Sequence, residues 1–172
     1  VGWIGLGVMG ASMAGHLIKQ GCSLLVHSRT RSKAAQLIEM GAEWIDSPSE
    51  VAGNVDYLFT MLGYPEDVEE VYFGRAGIFS NLPRGTTLID MTTSTPELAQ
   101  KISVYASERG CFSLDAPVSG GDIGAREARL AIMCGGNQQA YDQALPLFQI
   151  MGKTINYFGE SGSGQRTKMS NQ

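Results

Sequence analysis

Four short segments of the 172-residue sequence carry groups able to do chemistry. The first is Gly5-Leu6-Gly7-Val8-Met9-Gly10, a GxGxxG that follows an apolar run and opens a stretch of helical periodicity. In that setting each glycine has a physical reason. The first makes a tight turn, the second lets a pyrophosphate reach the backbone, and the third lets helix and strand pack closely. The free N–H groups and positive dipole end of the helix then face the phosphates. The alternative is a tight glycine turn with no ligand. The second segment, His27-Ser28-Arg29-Thr30, stands where a site for the unphosphorylated dinucleotide usually places a carboxylate for the ribose hydroxyls. A guanidinium and hydroxyls suit a 2′-phosphate instead, and Lys33 adds charge one turn further on. The expected cofactor is therefore NADP, with NAD as the alternative. Arg29, Arg31 and Lys33 also read as a solvated basic helix start, although such charges oppose the helix dipole. The third segment, Ser119-Gly120-Gly121, offers a hydroxyl and successive N–H groups suited to a carboxylate, and taken alone reads as a plain turn. The fourth is Lys168. A lysine ammonium can stabilise a developing anion and act as a general acid. Taken alone, Lys168 reads as an exposed helix lysine.

The elements that must position these groups alternate along the chain. Apolar runs of strand length lie at 1–6, 23–27, 57–61, 86–90, 111–116, 130–134 and 154–158, with a shorter one at 43–45. Helical patterns lie between them at 9–20, 31–40, 49–53, 66–72, 97–108 and 138–151. Gly21, Gly41 and Gly110 stop helices, while Ser47-Pro48-Ser49-Glu50 and Thr95-Pro96 start them. Most of the longer strand runs are nearly continuously apolar, which is how a parallel sheet covered on both faces reads. The expected fold is an α/β, doubly wound, Rossmann-like sheet, mostly parallel, with helices on both faces. The stretch GESGSG at 159–164 reads as loose. It divides a dinucleotide-binding domain, residues 1–160, from a linker and helix start, residues 161–172.

Composition excludes several classes. The formal net charge is −4 and no basic block stands out, so no nucleic-acid partner is expected. No apolar stretch is long enough to span a bilayer, so no membrane partner is expected. Three cysteines without CxxC spacing and two histidines predict no disulfide framework and no metal site, and point to a reducing, cytoplasmic setting. An organelle remains open if a targeting segment has been removed. The first residue is Val1, inside an apolar run, and the last three residues read as the first turn of a helix. Both ends suggest a domain cut from a longer protein.

Three segments taken together resemble the β-hydroxyacid dehydrogenase family, of the 3-hydroxyisobutyrate dehydrogenase and semialdehyde reductase type. They are GLGVMGASMAGHL at 5–17, DAPVSGG at 115–121 and GSGQRTKMSNQ at 162–172. The resemblance covers the whole chain in order. It implies an NADP-binding domain, followed in the full-length protein by an all-helical domain that this chain lacks, joined by a helix carrying the catalytic lysine. It places Gly5, Gly7, Met9 and Gly10, with Leu6 and Val8 of the same loop, at the pyrophosphate. Ser28, Arg29 and Thr30 would meet the adenosine ribose or its phosphate, and Met61, Leu62 and Gly63 would lie against the cofactor. Thr93 would sit near the nicotinamide. Ser119, Gly120 and Gly121 would bind the carboxylate of a small substrate, and Lys168 would be the general acid/base. Many members have Asn four residues after the lysine. Here that position is Gln172, preceded by Asn171, a pair that mildly favours semialdehyde reductases. His16 stands where asparagine is common, and Gly63-Tyr64-Pro65 replaces a more usual Leu-Pro order. The full-length protein would be a homodimer or homotetramer, and this chain alone would bind NADP without turnover. Two other readings share the fold, a non-catalytic dinucleotide sensor and an imine reductase. Lys168 counts against both.

Overall fold

The computed structural model describes residues 1–171. The elements run β1 (Gly2–Ile4), α1 (Val8–Lys19), β2 (Leu25–His27), α2 (Ala35–Glu39), β3 (Glu43–Trp44), α3 (Pro48–Ala52), β4 (Tyr57–Thr60), α4 (Pro65–Phe73) and β5 (Thr87–Asp90). They continue α5 (Pro96–Glu108), β6 (Phe112–Asp115), β7 (Val118–Ser119), α6 (Gly121–Arg126), β8 (Leu130–Gly136), α7 (Gln138–Met151), β9 (Gly152–Tyr157) and α8 (Ser163–Ser170). The strand order is β3-β2-β1-β4-β5-β6-β8-β7, with β9 on the other side of β8. The first six strands in that order are all parallel. The chain winds outward from β1 through β2 to β3 and then returns to β4. A crevice therefore opens at the carboxyl ends of β1 and β4, where such sheets bind ligands.

The mostly parallel, doubly wound sheet is as the sequence predicts, because central strands buried on both faces are written as apolar runs. Successive side chains alternate faces. Trp3, Phe59, Ile89 and Leu114 are paired in register across β1, β4, β5 and β6, and all point into one core. Trp3 stacks on Phe59 with ring centroids 5.1 Å apart, and Phe148 of α7 meets Phe59 edge-on. Leu58 and Leu88 point into the second core, under α3, α4 and α5. The last row, at the carboxyl ends, begins at the apolar Ile4 of β1 and then turns polar: Thr60, Asp90 and Asp115 follow it side by side in register.

The second half departs from expectation in three ways. The run at 130–134 extends to Gly136, and its strand β8 is antiparallel to β6 and β7. Only fourteen residues separate β6 from β8, and they are used by β7 and α6, leaving no room for a full crossover. α6 itself is absent from the sequence reading, because Gly121-Asp122-Ile123-Gly124 shows no helical apolar stripe. The stretch at 159–164 is not loose. Gly136 N donates to Gly159 O at 2.9 Å, and α8 begins inside the stretch at Ser163. Its glycines serve close approach. A Cβ on Gly164 would lie 2.4 Å from Met133 O and 2.6 Å from Asp115 O, both backbone atoms of the sheet.

Gly164→Ala is therefore expected to lower unfolding stability by about 2–3 kcal/mol, as overpacking against backbone does. Urea denaturation of the variant beside the parent checks this.

Candidate active site

A cleft of about 580 Å³ occupies the crevice at the ends of β1, β2 and β4. The structure brings to it the whole loop 5–10, together with Ser28, Arg29, Thr30, Lys33, Met61, Leu62 and Gly63. The three loop glycines are not equivalent. Gly5 has φ +105°, and a Cβ there would lie 2.1 Å from Met61 O. A Cβ on Gly10 would lie 2.2 Å from Gly5 O, so the third glycine is needed for helix–strand packing. A Cβ on Gly7 would meet nothing within 4 Å, and its φ of −69° is ordinary. Nothing in the protein requires glycine at position 7. The open space over that backbone leaves room for a ligand to approach it closely. α1 has no side-chain cap and no acidic residue in its first turn, so its N-terminal N–H groups and dipole are left to an anion. These observations fit a dinucleotide pyrophosphate.

The cleft has two walls. On one, β2 ends at His27, and Ser28 is buried behind the exposed Arg29 and Thr30. The other wall is the β4–α4 loop. Leu62 N donates to Thr92 Oγ1 at 2.8 Å, and Tyr64 N donates to Asp67 Oδ2 at 3.1 Å, closing a capping box on α4. Asp67 lines the cleft and pairs with Arg29 across it. The sequence reading did not include Asp67. Its only local signal was an acid in the first turn of a helix.

A second cluster lies along α8. Lys168 Nζ donates to Ser119 Oγ at 2.9 Å, joining residues 49 apart in the chain. Gly120 and Gly121 follow with φ of +136° and +61°, values that favour glycine. α8 has no side-chain cap of its own at Gly162. Asp115 supplies one from β6: Oδ1 accepts from Gly162 N at 2.9 Å and Oδ2 from Gln165 N at 3.0 Å. The fully buried Gln165 amide then clasps the end of β5. Its Nε2 donates to Thr92 O at 2.8 Å, and its Oε1 accepts from Ser94 N at 2.9 Å. Thr93 lies between those two anchors with its side chain exposed. Thr93, Ser119, Gly120, Gly121 and Lys168 do not line the 580 Å³ cleft. Asn171 Nδ2 lies 3.5 Å from Met133 Sδ, and Gln172 lies outside the described residues. His16 Nε2 lies 2.8 Å from Ala125 O, bridging α1 to α6. Sequence reasoning missed Gln165, for which no local signal exists, and left Asp115 without a role inside DAPVSGG.

Two buried carboxyls set the electrostatics. Burial pushes Asp90 up to about 6, against hydrogen bonds from Thr92 and Thr60 that favour its charge, while neighbouring Asp115 adds repulsion. Thr60 Oγ1 donates to Asp90 Oδ1 at 2.9 Å and meets Tyr72 Oη at 3.0 Å. Burial also raises Asp115, opposed by the backbone N–H groups of Gly162 and Gln165. Among the described residues no group of three or more His, Cys, Asp or Glu side chains is arranged to hold a metal ion. No described helix is long and apolar enough to cross a membrane.

Sheet order, glycine loop and capless α1 together define a dinucleotide-binding domain of Rossmann type. The family described as the NAD binding domain of 6-phosphogluconate dehydrogenase matches residues 1–159. An uncharacterized oxidoreductase of Bacillus subtilis, YkwC, is 53% identical over the whole chain, which spans 60% of that protein. A probable 3-hydroxyisobutyrate dehydrogenase-like protein of Arabidopsis thaliana is 51% identical, and the chain spans 52% of it. A solved structure described as Psf3 in complex with NADP+ and 2-OPP superposes with a TM-score of 0.94 at 32% identity, over 99% of this chain and 60% of that one. The chain belongs to the β-hydroxyacid dehydrogenase family, as its N-terminal, dinucleotide-binding domain. It spans little more than half the length of these relatives.

Because folding raises the Asp90 pKa from 3.8 to about 6, the folded chain binds more protons than the unfolded one between those values. Stability therefore falls as pH rises from about 4 to 6, by up to roughly 3 kcal/mol. Asp90→Asn is expected to remove this contribution. Its stability relative to the parent should be higher at pH 7.5 than at pH 4 by about 1–3 kcal/mol, read from urea midpoints at both values.

Proposed function

We propose that this chain is the cofactor domain of an NADP-preferring reductase that converts a small semialdehyde or oxo acid to the hydroxy acid, and the reverse. The observation that carries the reading is the Lys168–Ser119 contact. It sets an ammonium beside a glycine-rich turn, in a domain that also carries a dinucleotide cleft. A protein that only binds a dinucleotide needs neither group.

In this reading the backbone of Gly5, Leu6, Gly7, Val8, Met9 and Gly10 carries the pyrophosphate on the α1 N-terminus. Ser28, Arg29, Thr30 and Lys33 receive the 2′-phosphate of the adenosine, where no carboxylate follows β2. Met61, Leu62 and Gly63 form the opposite wall, and Thr93 faces the nicotinamide. The bound dinucleotide supplies or takes the hydride. Ser119 Oγ and the N–H groups of Gly120 and Gly121 bind the substrate carboxylate. The Lys168 ammonium donates a hydrogen bond to the carbonyl oxygen, stabilises the negative charge that develops there, and then gives up the proton. In the oxidative direction the neutral amine takes the hydroxyl proton. Asn171 and Gln172 extend this substrate side with amides. The family resemblance supports a homodimer or homotetramer of the full-length protein, and three unpaired thiols support a reducing compartment such as the cytosol.

The test uses the full-length protein with a panel of small semialdehydes and oxo acids. Lys168→Met is expected to lower kcat by about 10²–10⁴-fold, with the NADPH Kd unchanged within about twofold. Turnover that survives the substitution excludes Lys168 as the acid/base. In binding titrations, Arg29→Ala is expected to weaken NADPH about tenfold or more and leave NADH within about twofold, the loss of one charge-assisted contact.

A further inference from the structure

The carboxylate missing after β2 is present in the same cleft, on the opposite wall. Asp67 stands in the first turn of α4, 38 residues from Arg29, and pairs with its guanidinium across the groove. We propose that Asp67 is a specificity-determining residue, which competes with the 2′-phosphate for Arg29 and so limits the preference for the phosphorylated dinucleotide. This rests on the reading above that Arg29 meets the adenosine 2′ position.

The geometry gives the competition its direction. Asp67 is held by its own helix, since Oδ2 accepts from Tyr64 N in the capping box while Oδ1 faces Arg29. Its side chain is 20% exposed, against 77% for Arg29. The carboxylate is therefore the fixed partner and the guanidinium the mobile one. Arg29 can leave, but the negative charge of Asp67 stays in the cleft wall. Arg29 and Lys33 are the cations lining the cleft, and one of them is already neutralised.

An incoming 2′-phosphate must either draw Arg29 away from Asp67 or share the guanidinium with it. Sharing sets a carboxylate beside a phosphate that carries nearly two charges, and like charges at that range repel. A ribose 2′-hydroxyl meets neither cost, and it can donate to a carboxylate as it does where one follows β2. Asp67 thus raises the free energy of the phosphorylated complex and not of the plain one. The Arg29 side of the pair is largely exposed, so salt and water weaken the effect. A severalfold change is expected, not one of orders of magnitude.

The test is a titration of the full-length protein with NADPH and with NADH, for the parent, Asp67→Asn, Asp67→Glu, Arg29→Ala and the double variant Arg29→Ala/Asp67→Asn. Asparagine keeps an oxygen for Tyr64 N, and thermal melts confirm that each variant is folded. Asp67→Asn is expected to tighten NADPH about three- to tenfold and to move NADH by less than about twofold. Asp67→Glu keeps the charge and should hold the parent ratio within about twofold. The gain from Asp67→Asn should shrink by at least about half in the Arg29→Ala background, because Arg29 is the group competed for. An unchanged or lowered NADPH/NADH preference in Asp67→Asn overturns the proposal, as does Asp67→Glu behaving like Asp67→Asn. Failure of the underlying reading has a different pattern: Arg29→Ala spares NADPH, whatever Asp67→Asn does.

Discussion

The Asp115 carboxylate is the point on which the site hangs. It sits at the end of β6 and receives two N–H groups from the start of α8. No side chain within α8 does that work, and the residue before the helix is a left-handed glycine. Helix N-termini leave donors unpaired and carry a partial positive charge, and a carboxylate answers both needs at once. The contact spans about fifty residues, so it is a tertiary bond that fixes where the helix begins. Gly164, pressed on the sheet backbone, fixes how closely it lies. Lys168 is one turn further along. Its ammonium reaches Ser119 because Asp115 and Gly164 have already set the helix axis.

That anchoring has an energetic cost, visible in the row of polar residues that closes the sheet. Thr60, Asp90 and Asp115 take the last in-register positions of β4, β5 and β6, where the preceding rows are Phe59, Ile89 and Leu114. Burying two carboxyls side by side disfavours their charged forms, and both pKa values rise. Apolar residues in that row would stabilise the sheet more, but they would offer α8 no acceptor and Thr92 no fixed partner. The strand ends thus trade some stability for position, as functional edges of a fold commonly do.

The legible part of the fold was the part encoded locally. Strand runs, the helices α1, α5 and α7, and the caps at Ser47 and Thr95 follow from periodicity and from residues within one turn of each other. The glycine loop was legible because its spacing is itself a local constraint. What escaped was written in pairs distant in sequence. Asp67 and Arg29 are 38 residues apart, and Gln165 reaches partners 71 and 73 residues away. The stretch at 159–164 shows the ambiguity of glycine most clearly. The same residues read as freedom when seen alone, and as close approach once the neighbouring strand is present. The direction of β8 was hidden for a related reason, since a buried run reads alike in either orientation and only the length of the connection decides.

One chain of hydrogen bonds links the cleft wall to the helix that bears the lysine. Leu62, on the cleft wall, donates to the Thr92 side chain, and the Thr92 carbonyl accepts from Gln165. Gln165 in turn presents its backbone to Asp115 and stands three residues before Lys168. A reaction between groups held on two binding surfaces tolerates misplacement of only about 0.5 Å, so such surfaces on different elements need a common frame. Thr92 and Gln165 provide it with neutral groups, a hydroxyl, a carbonyl and an amide, none of which titrates. Across the middle of the site the frame therefore holds at any pH at which the sheet is folded. Titration is left to Asp90 and Asp115, at the strand ends where the frame is fastened. A glutamate at position 165 would match the shape of the clasp, but it would replace the donor to Thr92 O with a second acceptor and bring a third buried charge beside Asp115. The amide both donates to a carbonyl and accepts from an N–H without carrying charge at any pH, whereas a carboxyl does so only while protonated, and that requirement explains a fully buried glutamine in the first turn of the helix that bears the lysine.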